Sequence, residues 1–291
     1  MSIGILYESV EWSNQHLCDL INGSDIKTEL INLETGSVSF QRILQHRLIV
    51  NRLFPSAPLR GFKNSFSIAR NVLKVIDDQQ IPMINPFAAY AYDCSKICSM
   101  QALSKKTIPV PKSLAYFSST DQLHLKDLPY PNVLKPDCCG RCYNTYILNN
   151  QQDLKETLQN IPEQPYIIQE YIKPVKNFTT RIEIVGKDIM TINKRYLGSN
   201  GLSGYHAGSV FKDYPDCPDK IIKSSFKALA TLHIDMGSLD IIETDNDQFH
   251  IIDVNATSNF SEDNVEMLGF DPIKVMAEYI INQYASIDKS K

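Results

Sequence analysis

Residues 238–255, SLDIIETDNDQFHIIDVN, constrain the fold more than any other stretch of the chain. Two apolar runs flank TDNDQ, a loop of turn-forming residues. A hairpin centred between Asn246 and Asp247 sets Asp240 directly across from Asp253. Strand alternation then gives Asp253 and Asn255 one face, with Ile252 and Val254 on the other. Carboxylates opposed on neighbouring strands repel. The pair must share a proton, receive a basic side chain or hold a divalent cation. Two carboxylates and an amide oxygen form a hard, all-oxygen set of the kind Mg²⁺ takes while bridging to phosphates. Without that chemistry, the same residues are polar groups at a hairpin end on a solvated face.

A second hairpin, RIEIV followed by DIMTINKRY, turns near Lys187. Arg181 and Glu183 alternate with Ile182 and Ile184, and Asn193 and Arg195 share their polar face. Guanidinium groups there suit two-point contact with phosphate or carboxylate. An ordinary half-exposed sheet with paired charges has the same pattern.

Before these hairpins the patterning is different. IGILYE (3–8), TELINL (28–33), RLIVNRL (47–53) and IPMINP (81–86) read as strands. Helical spacing separates them, through Trp12, Leu17, Leu20 and Ile21, and again through Phe66, Ile68, Ala69, Val72, Leu73 and Ile76. Strands alternating with helices imply a parallel sheet. Residues 88–106 read as one helix, with Tyr92, Ile97, Met100 and Leu103 inward, until IPVPK ends it. Short strands at SLAYF, PNVLKP, TYILNN and YIIQEYI, with a helix near 151–160, make a small α+β unit. A helix near 219–233 separates the two hairpins, and two helices close the chain. The expected division is an N-terminal α/β domain (1–85), a connecting helix (86–112), a central α+β subdomain (113–172) and a C-terminal antiparallel-sheet subdomain (173–291).

Two lysines and a glutamate stand at positions where a cleft can form. Lys135 ends the strand NVLKP, where an ammonium meets phosphate. Glu170 ends another strand amid apolar neighbours, where a carboxylate can accept the adenine amino proton. Lys96 lies on a helix three residues after Asp93, the spacing of an ordinary surface pair.

The order and spacing of DCSK (93–96), NVLKP (132–136), TYI, QEYI, TRIEIVG, NKR, SLDII and IIDVN resemble the ATP-grasp superfamily. They look closest to the branch of ribosomal-protein glutamate ligases and lysine-biosynthesis ligases. The resemblance covers nearly the whole chain. It implies an ATP-grasp fold and an ADP-forming ligase that makes a carbon–nitrogen bond through an acyl phosphate, with ATP and Mg²⁺. By that resemblance Lys96 and Lys135 hold ATP phosphates. Glu170 and Ile172, with Gln169 and Tyr171 beside them, form the hinge that reads adenine. Arg181 belongs to the first hairpin, and Arg195 faces the acyl phosphate. Asp240, Asp253 and Asn255 are the metal ligands. Arg52 and Arg60, in NRLFPSAPLRG (51–61), are candidates for substrate carboxylate contact. The loop GSNGLSGYHAG (198–208) resembles one that closes over the site and brings His206 to the phosphates.

The sequence departs from this family after Lys135-Pro136. A loop rich in Gly and Ser is expected there; this chain has DCCGRC (137–142). Only Gly140 remains where small residues let backbone amides wrap phosphates, and Arg141 supplies a compensating charge. The change leaves open an ATP-binding module with reduced or lost catalysis. Thiols at Cys138, Cys139 and Cys142, with Cys94 and Cys98 on one helix face, invite a zinc or iron–sulfur reading, but CCxxC has no recognised four-ligand spacing. No GxGxxG follows the first strand, which excludes a dinucleotide oxidoreductase of the usual kind.

Hydrophobic content of 43% and charged content of 21% are those of a globular chain. A net charge of -4 leaves no basic footprint for nucleic acid. No apolar run reaches a membrane span. The N-terminus has no signal peptide, and seven cysteines read as reduced thiols of a cytoplasmic protein. The expected partners are ATP and an amino-acid, peptide or other small substrate, with a homodimer as the default assembly.

Overall fold

The computed structural model describes residues 2–118, 125, 127–138, 140, 142–199, 201–203 and 210–287. The first unit runs β1 (Ile3–Tyr7), α1 (Trp12–Asn22), β2 (Thr28–Asn32), α2 (Phe40–Ile43), β3 (Leu48–Asn51), α3 (Lys63–Asp78) and β4 (Met83–Ile84). Its sheet has the order β2-β1-β3-β4, all parallel. Alternation along β1 and β3 divides the apolar residues between two faces. Leu6 and Ile49 pack on Ala69, Val72, Leu73 and Ile76, the one-sided stripe of α3.

The other face is covered partly from the far end of the chain. Ile3, Ile5 and Val50 share a core with Leu17 and Ile21 of α1 and with Ile273, Met276, Ala277 and Ile280 of the last helix. A linear reading could not assign that last helix to the first sheet.

Residues 88–106 are two helices rather than one, α4 (Phe87–Asp93) and α5 (Lys96–Lys105). Ser95 caps the second, its hydroxyl accepting from the Cys98 N–H. The Asp137 carboxylate, from far along the chain, accepts from the Ile97 N–H at 2.8 Å. These contacts satisfy the orphan donors of a new helix start, so the chain turns at Cys94 instead of continuing. Cys94 and Cys98 therefore do not share one helix.

The central unit contains β5 (Ser113–Phe117), β6 (Asn132–Pro136), β7 (Tyr146–Leu148), α6 (Gln151–Leu158) and β8 (Tyr166–Glu170), with sheet order β5-β8-β6-β7. The third sheet adds β9 (Phe178–Val185), β10 (Asp188–Tyr196) and β11 (Phe211–Asp213), then α7 (Asp219–Thr231), β12 (Met236–Glu243) and β13 (Phe249–Asn255). Its order is β11-β10-β9-β12-β13, antiparallel throughout. Helices α8 (Glu262–Leu268) and α9 (Pro272–Ser286) follow. Gly186, in the β9–β10 turn at φ +61°, lies against Tyr279 of α9, where a Cβ would stand 2.4 Å from the ring.

Asn85 joins the first sheet to the third. It is 1% exposed and sits at φ +55°, a conformation Asn tolerates better than most residues. Its side-chain oxygen accepts from the N–H of Asp235 at 2.8 Å and of Met236 at 3.1 Å. Its amide donates to the carbonyls of Met236 and Ala256. Asn85→Ala orphans buried backbone groups and keeps an unfavourable φ. It should lower unfolding free energy by about 3 kcal/mol in urea titration. A loss below about 1 kcal/mol would deny Asn85 this joining role.

Candidate active site

The third sheet lays its polar residues in rows. Asn193, Arg181, Asp240 and Asp253 stand abreast across β10, β9, β12 and β13. The next row holds Thr191, Glu183, Ser238 and Asn255. Asp240 thus pairs with Asp253, but the hairpin is centred on Asn246 rather than between Asn246 and Asp247, and one extra residue in β13 makes up the difference. Basic side chains meet both carboxylates. Arg181 Nη1 donates to Asp240 Oδ2 at 2.9 Å and its Nε to Glu183 Oε1 at 2.8 Å. Arg195 Nη1 donates to Asp240 Oδ1 at 3.1 Å, and Lys96 Nζ to Asp253 Oδ1 at 2.8 Å.

Alternation fails beside this row. β13 carries a bulge, since Asp240 faces Asp253 while Ile241 faces Ile251. Ile252 is the extra residue, and it lines the cleft beside Asp253 instead of sharing the core face with Val254. Its carbonyl accepts from Lys135 Nζ at 2.9 Å.

Lys135 ends β6, and Lys96 opens α5. Asp137 connects them: its carbonyl accepts from the Lys96 N–H at 3.1 Å, and its carboxylate from Ser95 Oγ at 3.0 Å. Both ammonium groups therefore reach the same strand of the third sheet. Lys96 is no surface partner of Asp93, because both residues are 8% exposed.

The electrostatics follow from burial. Burial pushes Lys135 down to about 8, against the attraction of Asp253. Burial opposes the charge on Asp253 too, yet Lys96 and Lys135 hold its carboxyl below the usual range. Asp93, buried beside them, rises to about 7 even with Lys96 near. Burial also works against Arg181, but Asp240 and Glu183 outweigh it and keep the guanidinium charged. Arg195 Nε is buried with no partner among the described residues.

Lys96, Lys135, Asp240 and Asp253 open onto a cleft between the central and third sheets, partly open to solvent. Lys96, Lys135, Gly140, Gln169, Glu170, Tyr171, Ile172, Asp240 and Asp253 line it. Val133, Ile147, Ile242 and Ile252 supply an apolar wall that the motif reading overlooked. Val133 lies two residues before Lys135, so strand period alone could have found it. Glu170 Oε1 accepts from the Lys112 N–H at 2.8 Å. Arg181, Arg195 and Asn255 do not line the cleft; the arginines hold Asp240, and Asn255 pairs with Ser238 across the sheet. Arg141 and His206 lie outside the described residues.

The two other arginines are engaged elsewhere. Arg52 is 1% exposed and donates to Asn14, Ser13 and the Ser258 carbonyl. Arg60 pairs with Glu8 and Glu11 beneath Phe54 and Phe62. Burial raises the Glu8 carboxyl to about 7 despite Arg60.

Two lysines and two carboxylates lining a cleft between two antiparallel sheets, with the family match below, make this an ATP-grasp ligase, which uses ATP to form a carbon–nitrogen bond. The model of the RimK-like ATP-grasp domain matches residues 93–280, and the chain belongs to that family. It is similar to the coenzyme γ-F420-2:α-L-glutamate ligase of Methanococcus maripaludis, 22% identical over 217 residues that cover 72% of this chain and 74% of that one. A RimK domain ATP-grasp protein from Sphaerobacter thermophilus superposes with a TM-score of 0.71 at 14% identity, covering 96% of this chain and 99% of that one. The ATP-grasp ligase PsnB, complexed with a phosphomimetic minimal precursor, Mg and ADP, gives 0.68 at 13% identity over 97% and 98% of the two chains. Among the described residues no helix is long and apolar enough to cross a membrane.

Proposed function

We propose that this ligase joins the carboxylate of an amino acid or peptide to an amine, through an acyl phosphate made from ATP. The observation that carries the reading is the facing of Asp240 and Asp253 by Lys96 and Lys135 across one cleft. A glutamate ligase and a peptide-modifying ligase among the similar proteins support the substrate class.

In this account adenine lies against Val133, Ile147 and Ile252, with its edge read by the 169–172 hinge. The triphosphate meets Lys96, Lys135 and the Gly140 backbone. Point charges that match phosphate lower the barrier by favouring the charge that builds on the transferring group. The substrate carboxylate oxygen attacks the γ-phosphorus as the β–γ bridging bond breaks. The amine then attacks the acyl carbon, and phosphate departs with the former carboxylate oxygen. Arg181 and Arg195 hold Asp240 in place, and Arg195 Nε has a hydrogen bond to give.

The donors that suit Mg²⁺ at the cleft are the hard oxygens of Asp240 and Asp253; Asn255 shares their face of the hairpin but stands outside the lining and remains a proposed ligand. When bound, the ion would neutralise β- and γ-phosphate charge. Arg141 and His206 remain proposed contacts to the phosphates. So do the division at 85, 112 and 172, a homodimer and a cytoplasmic location.

The test is ADP release from ATP with a panel of carboxylates and amines. Release that depends on both partners, at rates of order 1 s⁻¹, is the expected result. ATP binding without turnover on any pair would leave a nucleotide-binding module, the outcome favoured by the glycine-poor loop 137–142.

A further inference from the structure

Arg181 has a second carboxylate partner that lies outside the cleft. Glu183 stands two residues along β9 on the same face and is 7% exposed. Ser238 and Thr191 flank it on the neighbouring strands, and neither carries a charge. Its Oε1 accepts from Arg181 Nε at 2.8 Å, and its Oε2 accepts from the Ser258 hydroxyl. The Ser258 carbonyl in turn accepts from Arg52 Nη1 at 2.7 Å, and Arg52 is buried just after β3. Glu183 is thus held from two sides, by its own sheet and by the segment after β13.

Arg181 and Arg195 divide Asp240 between them. Arg181 Nη1 donates to Oδ2 at 2.9 Å, and Arg195 Nη1 donates to Oδ1 at 3.1 Å. Each carboxylate oxygen can accept more than one bond, so both keep capacity for the cleft that Asp240 lines. A guanidinium often meets a carboxylate with two parallel N–H bonds. Asp240 lies directly across from Arg181 on β12, well placed for that grip. Arg181 gives it one bond instead, because its Nε is committed to Glu183.

We propose that Glu183 is a positioning residue: by holding Arg181 Nε it limits Arg181 to one bond with Asp240, and so keeps that carboxylate open to the Mg²⁺ that accompanies ATP. The part that concerns Mg²⁺ rests on the ligase reading of the cleft; the part that concerns Arg181 does not.

With no acceptor at position 183, Arg181 Nε is a charged donor left unpaired in a place largely shielded from water, which is costly. Asp240 is the acceptor already in contact with this guanidinium. A second bond from Arg181 takes further capacity from the Asp240 oxygens and draws the carboxylate into the sheet. It also crowds Arg195, whose guanidinium shares the same carboxylate. Asp240 is then less able to reach a cation in the cleft.

Two variants separate charge from reach. Glu183→Gln removes the charge but keeps an oxygen within reach of Arg181 Nε, while its amide can donate to the Ser258 hydroxyl. Glu183→Asp keeps the charge but falls a methylene short of Nε. Calorimetric titration of ATP into the whole protein, with and without Mg²⁺, gives the affinity gained from the ion. Glu183→Gln should keep that gain within about threefold of wild type, and Glu183→Asp should lose about tenfold or more of it. The reverse order, equal losses or no loss in either variant overturns the proposal, since charge alone favours aspartate. A crystal structure of Glu183→Asp should show Nε and Nη1 of Arg181 both bonded to Asp240. Arg181 in its wild-type orientation there overturns the proposal whatever the titrations give. Wild-type protein that binds no ATP, or binds it without response to Mg²⁺, sinks the ligase reading instead, and the crystal structure still decides what Glu183 does.

Discussion

Asp253→Asn should lower ADP formation by about a thousandfold, roughly 4 kcal/mol of transition-state stabilisation. The substitution keeps the shape and removes the charge. Asp253 anchors Lys96 at 2.8 Å, balances Lys135 and stands opposite Asp240. Its neutral replacement leaves Lys96 and Lys135 repelling one another with less negative charge between them. The free protein should therefore lose stability as well, by about 3 kcal/mol, because an ion pair shielded from water has lost one partner. Phosphate groups supply negative charge at the same place, so saturating ATP should recover part of that loss. Turnover by a coupled ADP assay and melting with and without ATP measure the two effects. Turnover within about tenfold of wild type would remove Asp253 from the reaction.

Lys135→Met should separate binding from folding. Lys135 is 9% exposed, and burial holds its ammonium down to about 8, so the charge is a burden on the free fold. Methionine fills a similar space without that burden, at the cost of one bond to the Ile252 carbonyl. The account expects unfolding free energy to stay level or rise. ATP affinity should fall about a hundredfold, near 3 kcal/mol, for loss of a charge-assisted phosphate contact. Destabilisation with ATP affinity intact would reverse the assignment and make Lys135 structural.

The hairpin was legible from five residues between two apolar runs, but its centre lies at Asn246 and not between Asn246 and Asp247; Asp240 meets Asp253 because the bulge at Ile252 adds the missing residue. The parallel first sheet was legible from the alternation of strand and helix patterning. What escaped depended on distant partners. The helix start at Ser95 is completed by Asp137, which the chain reaches only after the central sheet has begun to form. The bulge at Ile252 inserts one residue whose apolar character fits a core face and a cleft wall equally well. Arg52 was expected at the substrate because its loop resembles a substrate-side loop of the family. Its partners Asn14, Ser13 and Ser258 come from either end of the chain and bury it. The division at residue 173 likewise gave no sign that α9 would cover the first sheet.

Calorimetric titration of ATP into the protein, with and without Mg²⁺ and in the Lys135→Met and Asp253→Asn variants, tests the central claim most directly. The account predicts one ATP per chain, tighter with Mg²⁺, weakened by Lys135→Met, and with the Mg²⁺ enhancement largely gone in Asp253→Asn. ATP bound equally well by all three proteins, with no response to Mg²⁺, would place the nucleotide elsewhere and contradict it.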